Sequence, residues 1–166
     1  MVAGSSTYCP RGYTCTGGVK TLCAAGSYCN DYGKTVPSGL CFAGYYCNAG
    51  SMTQTPTSLA TDKGAMCTQA HYCAAGTVTP VPCPSGSYSN GVGLQDVTDC
   101  NPCPDGFYCS GTGTYDALLT ACPAGFYCPS GTASAASAIP CPIGHYCPLG
   151  STNPTPCAPG YYTDIP

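Results

Sequence analysis

Cysteines six residues apart recur along the whole chain, and a chain stapled that often has few folds open to it. The unit is clearest at Cys122-Pro123-Ala124-Gly125-Phe126-Tyr127-Cys128-Pro129-Ser130-Gly131 and returns from Cys141 to Gly150. Opening cysteines stand at Cys9, Cys23, Cys41, Cys67, Cys83, Cys103, Cys122, Cys141 and Cys157. Three residues on, each repeat has a glycine (Gly12, Gly26, Gly44, Gly86, Gly106, Gly125, Gly144, Gly160), except for Ala70. Five residues on comes tyrosine, displaced by one place to Tyr13 in the first repeat. The closing cysteine is replaced by Ser89 in one repeat and by Thr163 in the last. The mean step of about 18–19 residues belongs to a repeat array. It falls below the roughly 40 residues under which a domain usually needs disulfides or metals.

Each slot has a physical reading. Proline after the opening cysteine (Pro10, Pro84, Pro104, Pro123, Pro142) fixes φ and favours a turn. The glycine supplies a positive φ or a close backbone approach. Tyrosine offers an apolar face to cover a disulfide and a polar tip to reach water. A second glycine (Gly18, Gly33, Gly50, Gly76, Gly91, Gly111, Gly131, Gly150) turns the chain out of the loop.

Composition agrees: 17 cysteines, 22 glycines and 17 prolines in 166 residues, no tryptophan and 7% charged residues. Cysteine at that level marks a disulfide scaffold, normally built in an oxidising, extracellular setting. The remaining apolar residues are small and scattered. The fold class expected is therefore small disulfide-rich tandem repeats, an elongated array of short β-hairpins and turns with little regular structure and no large core. Residues 1–166 read as one continuous array, with a Thr/Ser/Pro-rich spacer at 51–66. That spacer is expected to be an extended loop, with Thr53, Thr55, Thr57, Ser58 and Thr61 as candidates for O-linked sugar and an ordinary solvated loop as the alternative. Asp116 is expected to cap a single helical turn over 116–120, and Thr132 to Pro140 is too short for a helix that stands alone. No asparagine starts an open N-glycosylation triplet, since Asn153 is followed by Pro154. The segment Met1–Ser6 lacks the features of a secretory signal, and the last repeat stops soon after Cys157, so a segment of a longer chain is expected. No apolar run is long enough to span a membrane.

Two disulfide schemes fit the repeat. In one, each opening cysteine joins the closing cysteine of its own repeat: Cys9–Cys15, Cys23–Cys29, Cys41–Cys47, Cys67–Cys73, Cys103–Cys109, Cys122–Cys128 and Cys141–Cys147. In the other, a closing cysteine joins the next opening one. The Cys83 repeat favours the first. It has lost its closing cysteine to Ser89 but gained Cys100, and the second scheme would force the tight pair Cys100–Cys103, more typical of redox motifs. Under the first scheme Cys83 joins Cys100, and Cys157 is left to a partner beyond the segment. Parity alone does not decide, because the second scheme leaves Cys9 over instead.

The sequence offers little chemistry besides. Zinc sites usually join two close cysteine pairs, and only Cys100-Asn101-Pro102-Cys103 has that spacing, so no metal site or cofactor is expected. His71 and His145 share a slot filled elsewhere by Tyr13, Ser27, Tyr45, Ser87, Phe107, Phe126 and Tyr161. A slot that accepts serine, phenylalanine or histidine has no fixed catalytic duty. Its aromatic members Tyr13, Tyr45, Phe107, Phe126 and Tyr161 are candidate interface residues, the alternative being rings that lie over their own spacers. A net charge of −3 argues against nucleic acid. No carboxylate pair, phosphate loop or serine nucleophile motif points to catalysis, so the chain is not expected to be an enzyme.

The phrase Cys83-Pro84-Ser85-Gly86-Ser87-Tyr88-Ser89, closed by Cys100-Asn101-Pro102-Cys103-Pro104, resembles the ephrin-receptor-like cysteine-rich repeat. More distantly it is similar to the first module of tumour-necrosis-factor-receptor ectodomains, and the resemblance implies a Cys83–Cys100 type of pairing. The denser form at 122–131 and 141–150 is similar to tandem arrays in surface proteins of algae and other protists, including the mastigoneme proteins of hair-like flagellar filaments. The resemblance covers 9–163, and the repeats at Cys9 and Cys67 depart from it. It implies a structural subunit of an extracellular filament or surface coat that associates with itself or packs laterally on other surface proteins or glycans. The alternative is the stalk or ligand-binding ectodomain of a receptor or adhesin. A secreted inhibitor or toxin would be more compact.

By chain entropy a six-residue staple stabilises by about 2.3 kcal/mol and the Cys83–Cys100 loop by about 3 kcal/mol. These are large terms for units this short. Reductant should therefore abolish both the circular dichroism signal and the protease resistance of the chain.

Overall fold

The computed structural model describes residues 7–163, and the architecture is a series of two-stranded antiparallel hairpins, eight in number among the described residues, with eight disulfides. The only helical segments described are three single 3-10 turns. By its contacts the chain forms two compact units. Among the described residues, the first holds 7–68 with Tyr72–Val81 and Val92–Asp96; the second holds Gln69–His71, Pro82–Gly91 and 97–163.

In the first unit Tyr13–Thr16 pairs with Val19–Leu22, Ser27–Tyr28 with Gly39–Leu40, and Tyr45–Cys47 with Gly64–Met66. In the second, Ser87–Tyr88 pairs with Asn101–Pro102, Phe107–Tyr108 with Thr120–Ala121, Phe126–Tyr127 with Ile139–Pro140, and His145–Tyr146 with Thr155–Pro156. A further hairpin joins His71–Tyr72 to Val81–Pro82. Each begins inside the stapled loop and returns just before the next opening cysteine. Its length is set by the spacer. The first is the longest because Gly17 and Gly18, both at positive φ, close it as a two-residue turn.

What joins one repeat to the next is backbone. In the first unit the amides of Gly12, Gly26 and Gly44 donate to the carbonyls of Cys29, Cys47 and Cys73, each the closing cysteine of the following repeat, at 2.7–2.9 Å. Gly33, Gly50, Gly76 and Gly93 donate back to Cys9, Cys23, Cys41 and Cys67 at 2.8–3.0 Å. The closing-slot amides of Cys15, Cys29, Cys47 and Cys73 donate forward to Lys34, Ser51, Thr77 and Leu94 at 2.8–3.1 Å. The second unit repeats these rungs: Gly86, Gly106 and Gly125 to Cys109, Cys128 and Cys147; Gly113, Gly131 and Gly150 to Cys83, Cys103 and Cys122; Ser89, Cys109 and Cys128 to Thr114, Thr132 and Ser151. The back-donating glycine is therefore Gly93 or Gly113 in the Cys83 and Cys103 repeats. Gly91 and Gly111, two places earlier, do not donate back: the Gly91 amide goes to the Ser89 hydroxyl at 3.1 Å, and Gly111 serves as a turn residue at φ 82°.

The loop glycines Gly12, Gly26, Gly44, Gly86 and Gly106 also meet the repeat after next. A Cβ on Gly44 would lie 2.6 Å from the carbonyl oxygen of Gly93, and one on Gly106 would lie 2.6 Å from that of Gly150. Within each unit, then, a repeat is hydrogen-bonded to its neighbour and packed, backbone on backbone, against the one beyond. The buried interior is made of half-cystines with a few small residues, among them Ser51, Thr114, Thr132 and Ser151. Buried hydroxyls are satisfied locally: those of Thr132 and Ser151 donate to Pro129 and Pro148 at 2.6 Å. Large apolar side chains such as Val19, Leu40, Ile143 and Leu149 stand exposed.

The helical turn at Asp116–Leu118 corrects one expectation. Tyr115 occupies the cap position and Asp116 follows it; the Asp116 amide is taken by the Asn90 side chain at 3.0 Å, so a neighbouring repeat supplies the cap. Ser134 and Ser137 form a capping box around the turn Ala135–Ser137.

Ala70, in a glycine slot, is buried and keeps the left-handed conformation at φ 62°. For a residue with a Cβ that conformation costs about 1–2 kcal/mol. Ala70→Gly should thus raise the unfolding free energy by about 0.5–1 kcal/mol, after the entropy that glycine adds to the unfolded chain. Gly44→Ala should lower it by more than about 2 kcal/mol, because conformational strain and the collision with Gly93 add. Thermal unfolding of the oxidised variants checks both signs.

Candidate functional site

The staples position everything else. Bridges join Cys9–Cys15, Cys23–Cys29, Cys41–Cys47, Cys67–Cys73, Cys83–Cys100, Cys103–Cys109, Cys122–Cys128 and Cys141–Cys147, with Cα atoms 5.7–6.2 Å apart. Those separations lie in the usual disulfide range. Cys157 has no sulfur partner among the described residues. Its closing slot holds Thr163, whose hydroxyl accepts the Gly144 amide at 3.0 Å and donates to the His145 carbonyl at 3.2 Å. A threonine oxygen thus stands where other repeats offer the carbonyl of a closing cysteine.

The Thr/Ser/Pro-rich spacer is not extended. It closes on Asp62, whose carboxylate accepts the Thr57 amide at 2.9 Å, the Thr57 hydroxyl at 3.1 Å and the Thr61 hydroxyl at 3.4 Å. The Asp62 amide donates to Ser58 at 2.8 Å, and Lys63 takes a left-handed φ to leave the turn. Short hydroxyl side chains compete well for such local bonds, which is why this composition folds back rather than running straight. Of the sugar candidates, Thr57 and Thr61 are exposed but engaged with Asp62; Thr53, Thr55 and Ser58 are half-buried. The Thr53 hydroxyl accepts the Thr55 amide and the Ser58 hydroxyl accepts the Thr61 amide.

The aromatic slot lies on the first strand of each hairpin. Tyr13 is half-buried with the Lys20 ammonium 4.7 Å from its ring centre, and Tyr45 is half-buried opposite Met66. Phe107 and Phe126, opposite Ala121 and Pro140, are exposed, as is Tyr161. Each paired ring therefore shares a face with the last residue of its own spacer. His71 and His145 occupy the same slot, each with Nδ1 against the carbonyl two residues earlier. Among the described residues no three His, Cys, Asp or Glu side chains gather as metal ligands would.

One constellation has no counterpart in the sequence reading. Arg11, Tyr28, Asn30, Met52, Thr53 and Gln54 line an open cleft of about 340 Å³ within the first unit. They come from three successive repeats, so no local motif signals them. The sequence clue is that Arg11, the sole arginine, fills a slot that holds no other cation: Ala25, Ala43, Gln69, Ser85, Asp105, Ala124, Ile143 and Pro159 stand there elsewhere.

No protein-family model and no curated protein sequence matches the chain. Eight disulfides fit maturation in an oxidising compartment. No helix among the described residues is long and apolar enough to cross a membrane.

Hydrogen bonds from the Thr57 amide and hydroxyl hold the Asp62 carboxyl below the usual carboxylate range. A depressed pKa contributes stability that is present above the unfolded carboxylate's titration and is lost as pH falls through the folded value. Amide exchange at Thr57 should therefore quicken, relative to other sites, only below about pH 4. Asp62→Ala should show the fast rate at neutral pH, with the eight staples unchanged by mass spectrometry.

Proposed function

We propose that the chain is a structural module of an extracellular filament or surface coat, related to the mastigoneme-like arrays its repeats resemble, and that it has no catalytic step. The observation that carries this reading is the backbone ladder. The same rungs join successive repeats in both units, irrespective of the side chains between them. A module built that way keeps its framework while its surface varies, which suits a scaffold. Low charge and the exposed apolar and aromatic side chains favour packing against further copies or other surface proteins. The turn at 57–62 presents exposed Thr57 and Thr61 as sites for O-linked sugar.

A receptor stalk or adhesin is the second reading, favoured by the polar cleft around Arg11. Electron microscopy of native material separates the two: regular polymers carry the first reading, isolated membrane-anchored particles the second. With purified oxidised chain, sedimentation should show concentration-dependent association. Replacing Tyr45, Phe107 and Phe126 together by serine should lower that association at least about tenfold, equivalent to about 1.4 kcal/mol, with little change in melting. Unchanged assembly of the triple variant would remove these rings from the interface.

A further inference from the structure

The cleft around Arg11 is built to hold something. The Arg11 Nε donates to the Asn30 carbonyl at 2.7 Å, which anchors the guanidinium at the cleft wall and leaves its terminal N–H donors over. No carboxylate pairs with it among the described residues. The other three basic residues are engaged: Lys20 on the Tyr13 ring, Lys34 with Asp31, and Lys63 on the Ala60 carbonyl. The fold does not require arginine in this slot. Ser85 holds the equivalent place in the second unit, where its hydroxyl lies 3.3 Å from the Cys109 carbonyl and 3.2 Å from the Ala133 carbonyl.

The remaining walls are fixed by contacts that leave polar groups to spare. Asn30 Oδ1 accepts the Ser38 hydroxyl at 2.7 Å, so its amide donors stay open. The Gln54 carbonyl takes the Phe42 amide at 3.0 Å, while its carboxamide makes no bond among the described residues. Tyr28 is half-buried against Gly39, and Met52 lies over Gly12. The cleft thus combines a cationic fork, two carboxamides and an aromatic ring. Its volume of about 340 Å³ sits at the lower end of the range for small-ligand sites, about 300–1,000 Å³.

We propose that this cleft binds an acidic sugar, a ring carrying a carboxylate or a sulfate ester. Arg11 takes the anionic group, since the guanidinium fork matches two oxygens of such a group at once. Asn30 and Gln54 take ring hydroxyls, each carboxamide offering donors and an acceptor. Tyr28 covers the apolar face of the ring. The first unit holds all four basic residues against Asp31, Asp62 and Asp96, a net charge of +1. The second holds Asp99, Asp105 and Asp116 among its described residues and no lysine or arginine, so an anion is favoured in the first. The proposal does not depend on whether copies of the chain polymerise.

The test is a titration of the full oxidised chain, by calorimetry and by amide shifts, with digalacturonate, a sulfated galactose disaccharide, neutral digalactose and sodium sulfate alone. Both acidic sugars are expected to bind, shifting the Asn30 and Gln54 amides, with the neutral sugar at least about tenfold weaker. Whichever acidic sugar binds tighter identifies the natural group. Arg11→Gln should weaken both at least about tenfold with melting unchanged, and Arg11→Lys should weaken them less, because a point charge replaces the fork. Gln54→Ala should weaken the sugars but not sulfate. The proposal is overturned if Arg11→Gln binds as the parent does, if the neutral sugar binds equally, or if sulfate alone matches the sulfated sugar.

Discussion

A loop closed by a disulfide after six residues has room for one turn bond of its own, as from the Phe126 amide to the Pro123 carbonyl at 3.2 Å, and its remaining amides and carbonyls must find partners elsewhere. In this chain they find them in the next loop. The opening cysteine carbonyl, the closing-slot amide and the amide of the glycine between them each meet a group of the following repeat, as Cys23, Cys29 and Gly26 do with Gly50, Ser51 and Cys47. The staple fixes the loop so that these groups point outward together, and the rungs then hold one loop on another. Neither device suffices alone: rungs without staples would order flexible loops at high entropic cost, and staples without rungs would bury unpaired polar groups.

This division of labour explains which positions tolerate change. Ser89 replaces a cysteine and still donates its amide to Thr114 at 3.0 Å, because the rung needs the backbone and not the sulfur. Ala70 replaces a glycine and still accepts the Cys83 amide at 2.9 Å, since its carbonyl is unaffected by the added methyl group. It also explains the surface. With half-cystines filling the interior, residues that would be buried in an ordinary domain, such as Leu22, Tyr32 and Leu40, remain outside.

Much of this was legible along the chain. A spacing of six residues, with Pro, Gly and Tyr at fixed places between, already implies a stapled turn, and the exchange of Ser89 for Cys100 marks the one enlarged loop. The spacers were harder. Their fold depends on single side chains that bond locally: Asp62 gathers Thr57 and Thr61, and Asn90 reaches Asp116 from another repeat. The Arg11 cleft was not legible at all, because its walls lie up to 43 positions apart in sequence, from Arg11 to Gln54.

Sulfur pairing is a short-range matter, settled within a handful of residues by chain geometry, so the sequence alone determined where the turns would be and what would hold them. Which backbone groups then face one another depends on the path each spacer takes before the next loop begins. Only the tertiary structure could place Gly93 against Gly44, or bring Arg11, Tyr28 and Gln54 around one hollow. Those contacts join loops two repeats apart, and their geometry accumulates over every turn of chain between them.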